Sequence, residues 1–349
     1  MSLLHFVPPL AVLPPLAGRA FSRTDINPAA ITVLAGGLVL YLMGVRRQNR
    51  LHPRHPWPGR RTAAFVGAVA VSAVAVLSFL GAYDRLLLWD HMVQHLLLIM
   101  VAAILLAVSS PIALWWHATE GTAHRRVTAI LRSRVALVMG HPVTAFLLYG
   151  LLVPVAHLTF FFNWAVEYTA VDQLEHLLFL AVGYLFWRQI FGADPNRFSL
   201  QPPMRALLLF LAVPVDTFVG LTLDVESHEI FPALAAEHRT WGPSLVSDLH
   251  IGGVIMWVVG DILMMLALIP VVVDWVRREE RQATWFDREL DAYFPRQSLG
   301  GQPTAGFALG RHHDRQTASP PPETPPQASV PSDVSRPVRP GATGRATGA

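Results

Sequence analysis

The chain has neither cysteine nor lysine among its 349 residues, and each absence closes off chemistry. Without thiols there is no disulfide, no CxxC metal site and no thiolate nucleophile, so metal ligands must come from histidine, methionine or carboxylate. Without lysine all 27 basic residues are arginine, and a retinal Schiff base, an obvious idea for a seven-helix chain, cannot form. No HExxH zinc-protease motif, P-loop or GxSxG elbow is present. Charge itself is scarce: 15% of residues are Asp, Glu or Arg while 52% are hydrophobic, far from the make-up of a soluble domain. A pI near 9.7 would suggest nucleic acid in a soluble protein. Here the arginines sit between apolar runs, where they set membrane orientation, so nucleic acid is not a partner.

What is present is a series of long apolar stretches. Seven approach or reach the roughly 17 to 25 residues that cross a bilayer: about 29–45, 62–82, 86–108, 142–162, 172–191, 203–223 and 251–275. Asn27 is placed to cap the first and Pro28 to open its first turn. Arginines crowd the loops after the first and third stretches (Arg46, Arg47, Arg50, Arg54, Arg60 and Arg61; Arg125, Arg126, Arg132 and Arg134), and Arg197 follows the fifth. The other loops are short or acidic, with Asp84, Glu167, Asp224, Glu226, Glu229 and Glu237. Basic loops stay cytoplasmic. The expected fold is therefore an all-α polytopic membrane bundle of about seven transmembrane helices, N-terminus outside and C-terminus cytoplasmic, with the lipid bilayer as its first partner.

Residues 1–28 read as a short outer arm: they lack the basic start of a secretory signal and carry several prolines. Residues 29–275 form the membrane domain. Residues 276–294, with Trp285, Phe286, Leu290 and Tyr293 set against charge, are expected as a separate amphipathic helix on the cytoplasmic surface, and residues 123–138 as another. Residues 295–349, rich in Pro, Thr, Gly, Ser and Arg, are expected to be disordered.

The strongest local signal is HMVQH, His91 to His95, at the outer start of the third stretch. Side chains four apart share a helix face at about 5 to 6 Å, close enough for two imidazoles to hold one metal. An isolated pair of interfacial histidines is more often merely amphipathic. The topology, however, brings His157, His176 and His250 to a similar depth on the same side, whereas His117, His124 and His141 fall beside the inner arginine loop. Polar groups are costly in lipid unless they face the bundle interior, which favours convergence on one site. The candidate metal ligands are thus His91, His95, His176, His157 and His250, with Asp172 four residues before His176. Asp90, Gln94, Glu175 and Asp248 are candidates for fixing the imidazole tautomers from behind; for the acids the alternative is a response to helix dipoles. Asp216 and Asp261 lie inside apolar spans, where an ionisable group needs a partner or a cavity. Imidazole suits copper, zinc and iron, and Met92 and Met256 at the same level add thioether character that favours Cu(I); Met264 and Met265 read as packing. Gly252 and Gly253 would allow close helix contact.

HMVQHLLL, the LEHLLFLAVGYLFW run from Leu174 to Trp187 and the DLHIGGVIMW run from Asp248 to Trp257 together resemble the multi-pass caa3-type cytochrome c oxidase assembly factor family, CtaG, over about residues 29–275. The resemblance implies a non-enzymatic protein of the bacterial plasma membrane that matures a haem-copper oxidase. Its partners would be cytochrome c oxidase subunits and a copper donor protein, and its cofactor copper. By position, His91, His95, Glu175, His176, Asp248, Gly252, Gly253 and Trp257 match the family pattern. Many members have histidine where this chain has Asp172, a harder ligand, and glutamine where it has Leu249; His250 would compensate. Two other functions compete: a metal or proton transporter using Asp216 and Asp261, and a haem-binding redox protein with paired histidine ligands.

Overall fold

The computed structural model describes residue 24 and residues 27–293, less 193, 229, 237, 238 and 240. Of the expected outer arm only Thr24, Asn27 and Pro28 are among them. The expected tail over 295–349 lies outside the described residues, as do Glu229 and Glu237.

Every regular element among the described residues is helical. In chain order these are α1 (Pro28–Leu51), α2 (Gly59–Leu77), α3 (Phe79–Tyr83) and α4 (Leu88–Leu96), which runs through a π-helical segment, Leu97–Ala102, into α5 (Ala103–Ser109). Then come α6 (Pro111–His117), α7 (Gly121–Leu131), α8 (Arg134–Met139), α9 (Pro142–Leu158), α10 (Phe161–Glu167), α11 (Thr169–Ile190) and α12 (Pro202–Val225). After α13 (Pro232–Ala236), α14 (Leu245–Val254) passes through a second π segment, Ile255–Val259, into α15 (Gly260–Tyr293). The start signals act as the sequence indicates. Asn27 Oδ1 accepts the Ala29 and Ala30 N–H groups, both at 3.1 Å, with Pro28 in the first turn. Ser133 and Ser244 cap α8 and α14 likewise.

Among the described residues five helical stretches are long and apolar enough to cross a membrane: Pro28–Leu51, Gly59–Tyr83, Leu88–His117, Pro202–Val225 and Leu245–Trp285. The pair α9 and α10, bent by 66° between them, has the same length and apolarity when taken together. The seventh expected span, α11, has the length, 22 residues, but not the apolarity, because Asp172, Gln173, Glu175, His176, Arg188 and Gln189 sit on it. Large apolar side chains such as Leu40, Leu151, Phe210, Phe218 and Leu266 are exposed around the bundle, the pattern of a surface solvated by lipid.

Two expected boundaries differ. The stretch 276–294 is not a separate helix: α15 runs unbroken from Gly260 to Tyr293, since no glycine or proline follows Pro270 until Pro295 and a change from apolar to charged residues does not by itself end a helix. The stretch 123–138 is broken into α7 and α8 at Ser133, whose hydroxyl starts a new helix by accepting the Ala136 N–H.

One contact fixes the register of the helices that carry the histidines. Gly183 of α11 lies so close to the first π segment that a Cβ there would sit 2.5 Å from the Ile99 carbonyl oxygen. That carbonyl accepts the buried Trp187 indole N–H at 2.8 Å. A π segment misaligns successive carbonyls and leaves one open to such a donor. On the other side of the bundle Gly253 of α14 meets the backbone of Gly220 and Asp224 in α12, with Gly252 against Leu88; both glycines serve close helix packing.

Candidate metal centre

The α4 helix presents His91 and His95 one turn apart, α9 adds His157 from its last turn, and α11 adds Glu175. The three imidazoles are buried and offer nitrogen atoms that all lie within 4.8 Å of one another. His95 Nδ1 is 3.1 Å from His157 Nε2, while the two Glu175 carboxylate oxygens are each 3.8 Å from a ring nitrogen, His91 Nε2 and His95 Nε2. Phe179 stacks on His95 at 3.9 Å between centroids and Phe162 meets His91 edge-on at 5.0 Å, so the ring faces are sealed from water.

Hydrogen bonds fix two tautomers. His157 Nδ1 donates to the Val153 carbonyl at 2.8 Å, which leaves Nε2 with its lone pair. His95 Nδ1 must then donate to that lone pair, and His95 Nε2 in turn is an acceptor facing Glu175. Both ring nitrogens of His91, His95 Nε2 and both Glu175 oxygens are buried with no hydrogen-bond partner. A buried polar atom without a partner costs about 1–3 kcal/mol, so several converging at one point make this a candidate site. Two nitrogens sharing a first-row metal at about 2.0–2.1 Å stand about 3.3 Å apart, close to the 3.1 Å between His95 Nδ1 and His157 Nε2, so a metal would fit between them once His95 carries its proton on Nε2, facing Glu175. The donor set of three imidazoles beside one carboxylate fits a transition-metal ion. A cavity of about 10 Å³ adjoins it, lined by His95, His157, Asp216, Met92, Met100 and Met256; it is about the size of one water.

His176 points elsewhere. Its Nε2 donates to Gln94 Oε1 at 2.9 Å and lies 3.6 Å from Asp172 Oδ1 and 3.8 Å from Asp84 Oδ2. Gln94 Nε2 donates to the Ala75 carbonyl and to Asp84 Oδ2. The expected single cluster is therefore two groups back to back, split by the neighbouring residues Glu175 and His176 and by Gln94 between His91 and His95. Asp84, in the turn after α3, was legible only as a loop acid; burial first, then the Asp172 carboxylate, push its carboxyl well above the usual range.

The remaining candidates take other positions. His250 Nε2 donates to the Glu226 carbonyl at 2.8 Å, tying α14 to the end of α12, away from the other imidazoles. Asp248 touches no histidine: its carboxylate accepts the Leu88 and Trp89 N–H groups, each at 3.0 Å, and pairs with Arg239 at 2.8 Å, capping the very helix that carries His91. Asp90 is fully buried with neither oxygen hydrogen-bonded. Asp216 accepts the Tyr149 hydroxyl at 2.7 Å, and Asp261 accepts that of Thr217 at 2.9 Å.

Fold and site together define a helical, membrane-type protein with a buried cluster of three imidazoles and a carboxylate. The model of the cytochrome c oxidase caa3 assembly factor family (Caa3_CtaG) matches residues 39–278, and the chain belongs to that family. Uncharacterised proteins of Mycobacterium bovis and Mycobacterium tuberculosis are each 29% identical over 290 residues, covering 80% of this chain and 43% of theirs. One from Mycobacterium leprae is 28% identical over 297 residues, covering 80% and 44%. The chain thus spans less than half the length of these relatives. No solved structure matches it.

Proposed function

We propose that this protein assists assembly of a caa3-type cytochrome c oxidase in the bacterial plasma membrane by holding copper at His91, His95 and His157 beside Glu175 and passing it on. The observation that carries this reading is the set of unpartnered buried nitrogens and carboxylate oxygens that α4 and α11 bring together, with His157 of α9 within ligand distance of them. The thioethers of Met92, Met100 and Met256 around the adjoining cavity favour Cu(I) among the first-row ions. Copper is the cargo here; the protein supplies the fixed His157 tautomer, the aromatic walls that keep water out and the negative charge of Glu175. In this reading α11 is the seventh span, its polar residues turned into the bundle, and the arginine bias puts the site on the outward side, where a copper donor protein and the oxidase subunits would meet it. The test is metal analysis of purified protein and oxidase activity of cells carrying His91→Ala with His95→Ala. Loss of copper and of oxidase activity is expected; normal values of both would overturn the proposal.

Asp216 gives a second reading some support, because it borders the same small cavity as His95 and His157. A proton or metal path through Asp216 and Asp261 predicts impaired metal uptake or export in Asp216→Asn and Asp261→Asn cells, and normal fluxes would remove it. A haem between the histidines fits poorly: the cavity of about 10 Å³ has no room for a porphyrin.

A further inference from the structure

The second polar group differs from the triad in chemistry and in surroundings. Asp84, Asp172 and His176 each offer one ligand atom, all within 4.8 Å of one another, and the Gln94 amide oxygen stands 2.9 Å from His176 Nε2. One nitrogen and three oxygens from four side chains form a harder set than three imidazoles next to thioethers, suited to a divalent cation and poorly suited to Cu(I). Surroundings follow the same division. The triad borders space for about one water, whereas Asp84, Asp172 and His176 line a cavity of about 260 Å³ between α1, α2 and α11, closed on one side by Asn27, Ala30 and Leu34. A cavity of that size has room for several waters, and Asp84, Asp172, Gln173, His176, Ser72 and Asn27 give its lining polar groups, so a partly hydrated ion fits beside them.

We infer that Asp84, Asp172, His176 and Gln94 form a second cation site, separate from the triad, that takes a divalent first-row ion from the α1–α11 cavity. Binding takes the Nδ1–H tautomer of His176: the proton that Nε2 now donates to Gln94 leaves to water as Nδ1 takes one up, so the ring stays neutral with its Nε2 lone pair on the metal, and the Gln94 oxygen and two carboxylates complete the donor set. Each carboxylate neutralises one charge of a divalent ion, so no counter-ion is needed in this part of the bundle. The two sites share α4 and α11: Gln94 lies between His91 and His95, and His176 follows Glu175. The rings of His95 and His176 stand 6.2 Å apart between centroids, so the two sites are neighbours with different donor sets. The binding claim stands whether or not the triad holds copper.

Co²⁺ is the probe, because its visible absorption reports nitrogen and oxygen ligation directly. The full chain, purified in detergent, is titrated with Co²⁺ as wild type, as His91→Ala with His95→Ala, and as Asp84→Asn with Asp172→Asn. The His91/His95 variant should keep a Co²⁺ site of unchanged affinity, while the Asp84/Asp172 variant should bind that Co²⁺ at least 10-fold more weakly and keep its copper content. Equal Co²⁺ binding by the Asp84/Asp172 variant and wild type, or loss of the site in the His91/His95 variant, overturns the inference. If the double Asn variant does not fold, His176→Gln, which keeps a hydrogen-bonding side chain facing Gln94, must show the same loss. Absence of copper from wild type together with Co²⁺ held by the His91/His95 variant would reject the copper proposal and leave this one standing.

Discussion

Glu175→Gln separates a metal ligand environment from ordinary packing, because the two make opposite demands on this residue. Its side chain is fully buried, its oxygens lie 3.8 Å from His91 Nε2 and His95 Nε2, and neither oxygen is hydrogen-bonded. Gln has the same shape, so cavity effects are absent; what changes is the available negative charge and one acceptor. A group that orients and charges a metal site from this position typically accounts for 10- to 100-fold in metal affinity, about 1.4–2.7 kcal/mol. Without metal the change costs nothing, since no hydrogen bond is lost and the Gln amide can donate to the unprotonated His95 Nε2, relieving an unsatisfied pair at about 1–3 kcal/mol each. The measurement is a competition titration with a Cu(I) chelator on wild type and variant, alongside thermal unfolding of both in the presence of excess chelator. Copper affinity should fall 10- to 100-fold while metal-free stability holds or rises. Unchanged copper affinity, or metal-free protein destabilised by more than about 1 kcal/mol, would refute the reasoning and make Glu175 a structural residue.

Asp248→Ala should act in the opposite sense, lowering stability by about 3–5 kcal/mol because it leaves buried Arg239 unpaired and uncaps α4, with copper bound per folded molecule unchanged; thermal unfolding with metal analysis of the folded fraction checks this. Gly183→Ala should cost about 1–3 kcal/mol, since its Cβ would meet the Ile99 carbonyl at 2.5 Å, and should weaken copper binding by shifting Glu175 relative to α4; a variant of wild-type stability would contradict the packing. Asp194, in the loop after α11, gives a pH dependence. Burial raises its folded-state pKa above 3.8, so the unfolded chain ionises first and this residue's contribution to stability declines as pH rises from 3.8 towards the folded value. Asp194→Asn, which keeps an acceptor for the Ala113 N–H, should flatten the stability profile over that window in unfolding measurements at stepped pH.

Much of this was open to reading along the chain because it depends on local chemistry. Asn27 followed by Pro28 starts a helix in any context, apolar runs of membrane length form helices because their backbone groups must bond within the segment, and His91 and His95 four apart share a face. The fate of His176 was not readable. It lies four residues from Asp172, as did the pair His91 and His95 from each other, yet which way α11 is rotated is set by Gly183 against the π segment at Ile99, a contact between residues far apart in sequence. The same holds for Asp84, indistinguishable in sequence from any acid in a turn, and for Asp248, whose nearness to His250 suggested support of a ligand while its carboxylate caps α4 instead.

The sequence by itself determined the helices, the exclusion of thiol and Schiff-base chemistry, the family and the identity of the imidazoles. Only the tertiary structure decided how those imidazoles are grouped: His157 joins His91 and His95, His176 turns to Asp84 and Asp172, and His250 stands apart. The physical reason is that a residue's place along a helix fixes its depth and its neighbours three and four away, whereas the partner it meets depends on the rotation and close approach of another helix, set here by a glycine and a π segment that pattern alone does not reveal.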